Sequence, residues 1–584
     1  MKYLKIVMSL IALLMLNACK KNFLDRKPLD QVGALDYFKS PNDLQTYVNQ
    51  FYSTDLFPIA ADVRNGGAYA TEFGGDYNSD NAVSTNYDTR LAGTRTLDEA
   101  SDIDFSGVRN VNYFFDNYKR VEPNAAFASY QQYVGEAFFF RALIYYHLLQ
   151  GWGDIQWFTS EIGTESPELL KQRDPRNIVA DNIIADLDSA ALYLQADQTD
   201  GASRINKWMA LLVQSRVALY EGTWEKYHAG DPFGVASPQP EKYFNKVVEA
   251  TTKVMESGIY SVYSTGSTSS DYYDLFSTQR SYAGNTEVMF WKKFDNELGK
   301  SEVWFRTSRN YYQQHPRDHS QTKELADAYL CTDGKPISVS SLFKGFTNIG
   351  LEMQNRDPRF VQTFGMPGQT WLIAADGTVT NYDALYAVLN TGILYYSPSG
   401  YVLRKGYDAR EIYQIPQNEE TPAIIYRYGE VLLNFAEAKA ELGTITQADV
   451  DKSIKKLRDR VGMPNLTLAA ITADPKWDFP TLSPAINEIR RERRVELASE
   501  GFRFDDIMRW AAADELIVGK RPHGFMASQL TTNPYPVAAD GFLDPYQLKI
   551  PAGYGFKIDR DYLNAIPKDQ LLLNPSLVQN PGWN

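Results

Sequence analysis

The stretch GEAFFFRALIYYHLL, residues 135–149, decides how the chain folds. It is apolar nearly all round, which a helix tolerates only when other helices cover it on several sides. The spacing predicts a helix over Tyr130–Gln150. Working outward, Val111–Val121 fits a helix before it, and a helix from Pro175 to about Leu194 follows it. In RINKWMALLVQSRVALYEG (204–222), Trp208, Leu211, Leu212, Ser215 and Leu219 recur at helical spacing. Small residues Ala210, Ser215 and Ala218 allow close approach there, and Gly222 stands where such a helix would stop. Residues 240–257 read as helix again, and so does the stretch from Pro41 to about Phe57. Helices return at Tyr426–Leu442, Thr446–Val461 and Pro484–Ala513.

The consecutive helix pairs predict tetratricopeptide-type packing, although their repeats are too degenerate to show a fixed period. Residues 20–41 read as an extended lead-in. Residues 58–107, rich in Gly, Asn, Asp, Ser and Thr, form a long elaborated loop, and long loops tend to carry function. Between about 259 and 420 the strand-like runs are short: EVMFWKKF (287–294), QTWLIAA (369–375) and GYVLRK (400–405). The expected fold is mainly α. A tetratricopeptide-like helical scaffold spans about 41–258 and 421–584, and a loop-rich mixed α/β insertion spans about 259–420. The Pro/Asn-rich end, from Tyr562 on, reads as an extended closing segment.

Lys2 and Lys5 precede a mostly apolar run of 13 residues, Ile6–Ala18. A membrane-crossing helix needs about 20 apolar residues, so residues 1–18 read as an export signal. Leu16-Asn17-Ala18-Cys19 resembles a bacterial lipobox, which predicts cleavage before Cys19 and acylation of its thiol. Each buried methylene contributes about 0.8 kcal/mol, and two or more chains anchor firmly. The alternative is a plain secretory signal with an incidental cysteine. The only other cysteine is Cys331, so no disulfide framework and no Cys-based metal site is expected. Losing residues 1–18 moves the net charge from −13 to −15, which argues against a nucleic-acid partner. Tyrosine (38) outnumbers phenylalanine (30). Rings that are apolar on one side and wet on the other suit a surface gripping polar ring-shaped ligands, and equally a large α-protein with a wet periphery.

Two segments carry carboxylates at tempting spacings. Glu430, Asn434, Glu437 and Glu441 fall on one helical stripe. Arg493 lies between Ile489 and Leu497 on the apolar side of its helix, with Glu496 and Glu500 beside it. A glycoside hydrolase needs two carboxylates facing the sugar, one with a raised pKa. Neighbouring arginines hold a carboxylate ionised instead, and Arg427, Arg490, Arg491, Arg493, Arg494 and Arg503 crowd these segments. The expectation is a structural charge network of Arg427, Glu430, Glu437, Arg493, Glu496 and Glu500 locking scaffold helices in register, with no catalytic residue. Of five histidines, only His315 and His319 have ligand-like spacing, and they lack further ligands. No nucleophile elbow, phosphate loop or dinucleotide fingerprint occurs. No metal or cofactor is expected. For Ca²⁺ there are oxygen donors in loops such as 76–80, but no EF-hand pattern.

Six blocks, in order, then carry a likeness. They are GEAFFFRALIYYHLLQGWGDIQWF (135–158), RINKWMALLVQSRVALYEGTW (204–224), NRDPRF (355–360), IIYRYGEVLLNFAEAKAELG (424–443), IRRERRVELASEGFRFDDIMRW (489–510) and NPSLVQNPGW (574–583). With the lipobox, they make the chain resemble the SusD/RagB family of Bacteroidetes outer-membrane nutrient-binding lipoproteins. The resemblance implies a non-catalytic surface subunit on a helical scaffold with a variable ligand face. Its partner would be a SusC-like, TonB-dependent outer-membrane transporter, and its ligand an oligosaccharide or polysaccharide. RagB-like members serve peptides instead. A glycoside hydrolase and a helical-repeat assembly adaptor are the readings from other classes. Lys20 and Lys21 stand where acidic residues often mark surface export.

In such a family the ligand face is assembled from the N-terminal loops and the loops after the EVMFW strand. By position in the chain, two stretches match. In 72–87, Tyr77 is interleaved with Asn78, Asp80 and Asn81; in 302–314 stand Trp304, Arg306, Asn310, Tyr311 and Tyr312. These are the candidate ligand-binding residues. The alternative for each is an aromatic or amide that packs a loop onto the scaffold. Trp208, Trp224 and Trp510 fall in or beside scaffold helices and are expected in the core.

Overall fold

The computed structural model describes residues 37–52, 76, 78–84, 86–100, 102–163, 165–197, 204–295, 297–298, 320–383, 397–413, 420–530, 533 and 535–583. Cys19, Tyr77, Trp304, Arg306, Asn310, Tyr311, Tyr312, His315 and His319 lie outside the described residues.

Helix α1 (Pro41–Val48) starts at Ser40, which forms a reciprocal capping box with Asp43. Strand β1 (Ala82–Val83) and helix α2 (Ser106–Asn117) follow. Four long helices then stack in sequence, each on its predecessor: α3 (Gln131–Trp152), α4 (Arg176–Tyr193), α5 (Lys207–Tyr227) and α6 (Pro240–Glu256). The decisive run lies in α3, which has 22 residues, about 33 Å of helix. Its Phe139, Phe140, Tyr145 and Leu149 are fully buried. The side chain of Asn206 caps α5 by accepting from the amides of Trp208 and Met209.

The chain next crosses an irregular region with α7 (Asp271–Ser277), β2 (Val288–Lys292), β3 (Ser320–Gln321), α8 (Lys323–Ala328), α9 (Ile349–Glu352), α10 (Pro358–Thr363) and the hairpin β4 (Thr370–Ile373)–β5 (Val379–Asn381). Strand β6 (Ala423–Arg427) pairs antiparallel with β2, and β1 pairs antiparallel with β3. Helix α11 (Tyr428–Glu441) then lies against α6 and α5 and so continues the stack. Helices α12 (Gln447–Lys452), α13 (Ile454–Arg460), α14 (Pro484–Glu496) and α15 (Arg503–Arg509) complete it, with α14 on α11 and α15 on α5. One apolar core runs from Phe38 to Ile566 through all the long helices, and smaller clusters lie under the irregular region. Trp224 and Trp510 are core residues, while Trp208 is half-buried, with its indole N–H donating to the Ala196 carbonyl at 2.7 Å. Cys331 is buried within the irregular region, where its backbone bridges Arg356. No helix among the described residues is long and apolar enough to cross a membrane.

Helix α2 starts five residues before the expected Val111, Tyr426 and Arg427 belong to β6 rather than to the helix that follows, and three further differences shape the packing. Gly222 does not end α5. The helix continues to Tyr227, and Gly222 sits where a Cβ would come within 2.9 Å of the Phe244 ring and 3.0 Å of Tyr243 Cβ. Its role is to let α6 approach. The stretch Thr446–Val461 is two helices broken at Ser453. The stretch Pro484–Ala513 breaks after Glu496, where Ser499 (φ 65°) and Gly501 (φ 84°) turn the backbone left-handed.

Candidate binding cleft

That break builds the floor of a cleft. The freed amides of Ser499 and Gly501 donate to the two oxygens of Asp76 at 2.8 and 3.1 Å. The Asp76 carboxylate also accepts from the Asn81 amide at 2.9 Å. The segment is further tied by Thr322, whose hydroxyl donates to the Asp80 carbonyl at 2.6 Å. Two arginines of the broken run then clamp the Asp80 carboxylate: Arg503 through Nε at 2.7 Å and Nη2 at 2.8 Å, and Arg494 through Nη2 at 2.9 Å. Burial pushes the Asp80 carboxyl up, but the Arg494 and Arg503 guanidiniums outweigh it and hold it well below the usual carboxylate range. Asp80 therefore lines the cleft as a fixed anion. Asn81 is only 1 % exposed, with its oxygen accepting from Arg494 Nε at 2.7 Å, so its side chain supports the floor from beneath. Asn78 is exposed beside it.

The cleft holds about 270 Å³. Helices α8 and α14, which pack on each other, form its base. One wall is the loop 338–346, with the half-buried rings of Phe343 and Phe346 edge-to-face at 4.9 Å. The other is the loop 474–479, with the half-buried Trp477, whose indole N–H points to Glu488 at 3.4 Å. The walls are joined where the Ser338 hydroxyl donates to Asp474 at 2.7 Å. Rings on two walls and a polar floor suit a flat ligand with one apolar face and hydroxyl edges. A larger hollow of about 620 Å³ lies between α2, residues 156–170 and the chain's end. Its walls carry aliphatic Val108, Leu169, Leu573 and Leu577, and its amides Asn112, Gln156, Gln570 and Asn574 already donate to backbone carbonyls.

Behind the floor lies the charge network, in three parts. Arg427 donates to Glu500 at 2.7 Å, Glu496 at 2.9 Å and Glu287 at 3.0 Å. Arg460 and Arg359 reach the same Glu496 at 2.5 and 3.0 Å. These arginines overcome the burial of Glu496 and hold it well below the usual range. Lys405 donates to Glu500 at 2.5 Å, and burial brings its pKa down to about 8 in spite of that partner. Separately, Arg493 turns away from Glu496 and Glu500 and pairs with Asp506 at 2.9 Å, while Glu437 pairs with Arg509 at 2.6 Å. Glu430 takes Arg216 of α5 at 2.6 Å. The sequence reading omitted Glu287, Arg359, Lys405 and Arg460. Arg359 stood in the NRDPRF block, and Glu287 and Lys405 in the short strand-like runs, but nothing local tells that Arg359 meets a helix 133 residues on. Among the described residues, no group of three or more His, Cys, Asp or Glu side chains is placed to hold a metal.

The fold and cleft together define a helix-rich protein with a ring-walled cleft on its irregular side. The chain belongs to the SusD family, whose model matches residues 260–583. A second family model, described as "Starch-binding associating with outer membrane", matches residues 22–219. Among curated relatives, SusD-like protein P25 of Formosa agariphila is 22 % identical over 628 aligned positions covering 100 % of this chain and 99 % of the relative. A SusD-like protein of Bacteroides fragilis has a crystal structure that superposes with TM-score 0.69 at 22 % identity, covering 95 % of this chain and 100 % of that one. A SusD-like carbohydrate-binding protein of the same species gives 0.67 at 20 % identity, covering 93 % and 99 %.

Proposed function

We propose that the protein is a non-catalytic surface lipoprotein, anchored through Cys19, that captures an oligosaccharide or polysaccharide and hands it to a SusC-like, TonB-dependent outer-membrane transporter. The observation that carries the binding reading is the cleft itself: rings on both walls and carboxylates pinned by arginine. Such a site can stack a sugar. Its carboxylates Asp80, Asp474 and Glu488 are paired with arginine, and Asp327, which burial pushes up, is paired with Lys323, an arrangement that favours holding a glycan over acid–base cleavage of it. Support for the ligand class comes from the starch-binding description of the N-terminal family model and from the carbohydrate-binding relative of B. fragilis. The candidates Tyr77, Trp304, Arg306, Asn310, Tyr311 and Tyr312 remain part of this proposal as residues extending the ligand face. Each ring contact is weak, and affinity for a polymer accumulates through repeated contacts. No metal or cofactor enters the proposal.

The test has three arms. A glycan microarray should give binding, and the bound glycan should leave the protein uncut, with no new reducing ends. Cys19→Ala should move the protein from the membrane fraction to the soluble one. The native protein should co-purify with a large outer-membrane β-barrel. A blank glycan array with binding to a peptide library would replace the sugar by a peptide, and release of reducing ends would make the protein an enzyme.

A further inference from the structure

We propose that the cleft takes an uncharged glycan and turns away one that carries uronate or sulfate groups. This rests on the glycan-binding reading above. Every arginine lining the cleft is already matched by carboxylates of the same chain. Arg491 lies between Asp474 at 2.5 Å and Glu488 at 2.8 Å. Arg494 reaches Asp80 at 2.9 Å and Asp478 at 3.3 Å, and Arg503 shares both partners at 2.7 and 3.7 Å. Arg490 has Glu441 at 3.2 Å and is covered by the Trp510 ring at 4.1 Å. An acidic sugar could reach these guanidiniums only by displacing an intrachain carboxylate that it does not improve on. Asp478, 42 % exposed by its side chain, lines the cleft as the second carboxylate partner of Arg494 and Arg503, so it leaves neither arginine open to an acidic sugar. Lys476 and Lys520 stand exposed at the lip, where water and salt screen their charge. An uncharged pyranose needs none of this. Its C–H face can stack on Trp477, whose indole is held by Glu488, while its hydroxyls meet oxygens and guanidinium edges already fixed in place.

The test is calorimetric titration of the purified full-length protein. The probes are uncharged malto- and xylogluco-oligosaccharides, oligogalacturonates and sulfated galactan oligosaccharides, each at 50 and 500 mM NaCl. Binding is expected from an uncharged probe only, with Kd changing less than twofold between the two salts. Trp477→Ala should weaken it more than tenfold at unchanged Tm, and Trp477→Phe should restore most of it. An acidic probe that binds in a salt-dependent way and is lost in Trp477→Ala would overturn the charge inference and leave glycan capture standing. An uncharged probe bound equally by Trp477→Ala would overturn the inference by placing the ligand elsewhere on the protein. No binding of any probe would sink the inference and the glycan-capture reading together.

Discussion

At the scale of single residues, the charges behind the cleft fix both stability and its pH dependence. Arg493 is buried between Asp506 and the Asn434 oxygen, which accepts from it at 2.8 Å. Arg493→Met leaves Asp506 with one arginine instead of two. Breaking a buried pair in this way costs roughly 3–5 kcal/mol, so the variant should melt several degrees below the parent by calorimetry; an unchanged Tm would show that the pair contributes nothing. Glu437 provides the pH signature. Burial raises its pKa, but Arg509 and Arg493 bring it down to about 2. In the unfolded chain a glutamate titrates near 4.3. The folded value is depressed, so this stabilisation is present above about pH 4.3 and fades as pH falls towards 2. In urea titrations, Glu437→Gln should be less stable than the parent at pH 7, and the gap should close across that window. These residues also show what the sequence could tell. The crowding of arginine and glutamate in 489–510 revealed a paired network, but not its wiring. Arg493 stands one helical turn from both Glu496 and Leu497, yet it pairs with Asp506 because the break after Glu496 redirects the chain and brings Asp506 of α15 within 2.9 Å.

At the scale of elements, two positions decide how helices meet. Gly222 lets α5 and α6 touch, and Gly222→Ala would drive a methyl into Phe244 and Tyr243. Overpacking of this kind costs about 1–3 kcal/mol, which thermal melts should register although alanine is the better helix former. The left-handed turn at Ser499–Gly501 depends on Asp76 in the same way. Asp76→Ala strands the buried amide of Ser499, at about 1–3 kcal/mol, and frees the half-buried amide of Gly501. It should both lower Tm and weaken ligand capture, because the turn sets Arg503 against Asp80. The nearly all-apolar α3 and the helices α4 to α6 were legible from local sequence pattern. The break in Pro484–Ala513 was not, since the carboxylate that stabilises it lies more than 420 positions earlier in the chain. Gly222 was misread for a related reason: a glycine that ends a helix and one that admits a neighbour look the same until the neighbour is known.

At the scale of the whole molecule, the stack of long helices is not divided where the two family matches divide. Helix α11, at the far side of the irregular region, packs on α5 and α6, and β6 pairs with β2. One core joins residues from both ends of the chain. Residues 260–583 expressed alone would expose the face of α11 that α5 and α6 cover, so the fragment should show no cooperative melt by circular dichroism. A sharp transition like that of the full chain would mean that the half folds by itself. The scaffold was therefore readable as helices in order. The cleft was not, because its walls come from two loops more than 130 positions apart that meet through Ser338 and Asp474. The buried Cys331 gives a way to watch this assembly come undone. In a Cys19→Ala background it is the sole sulfhydryl, so a maleimide dye added to the native protein stays unreacted until the segment around Cys331 and Arg356 opens, and the rate of colour change becomes a clock for that opening with no label to engineer.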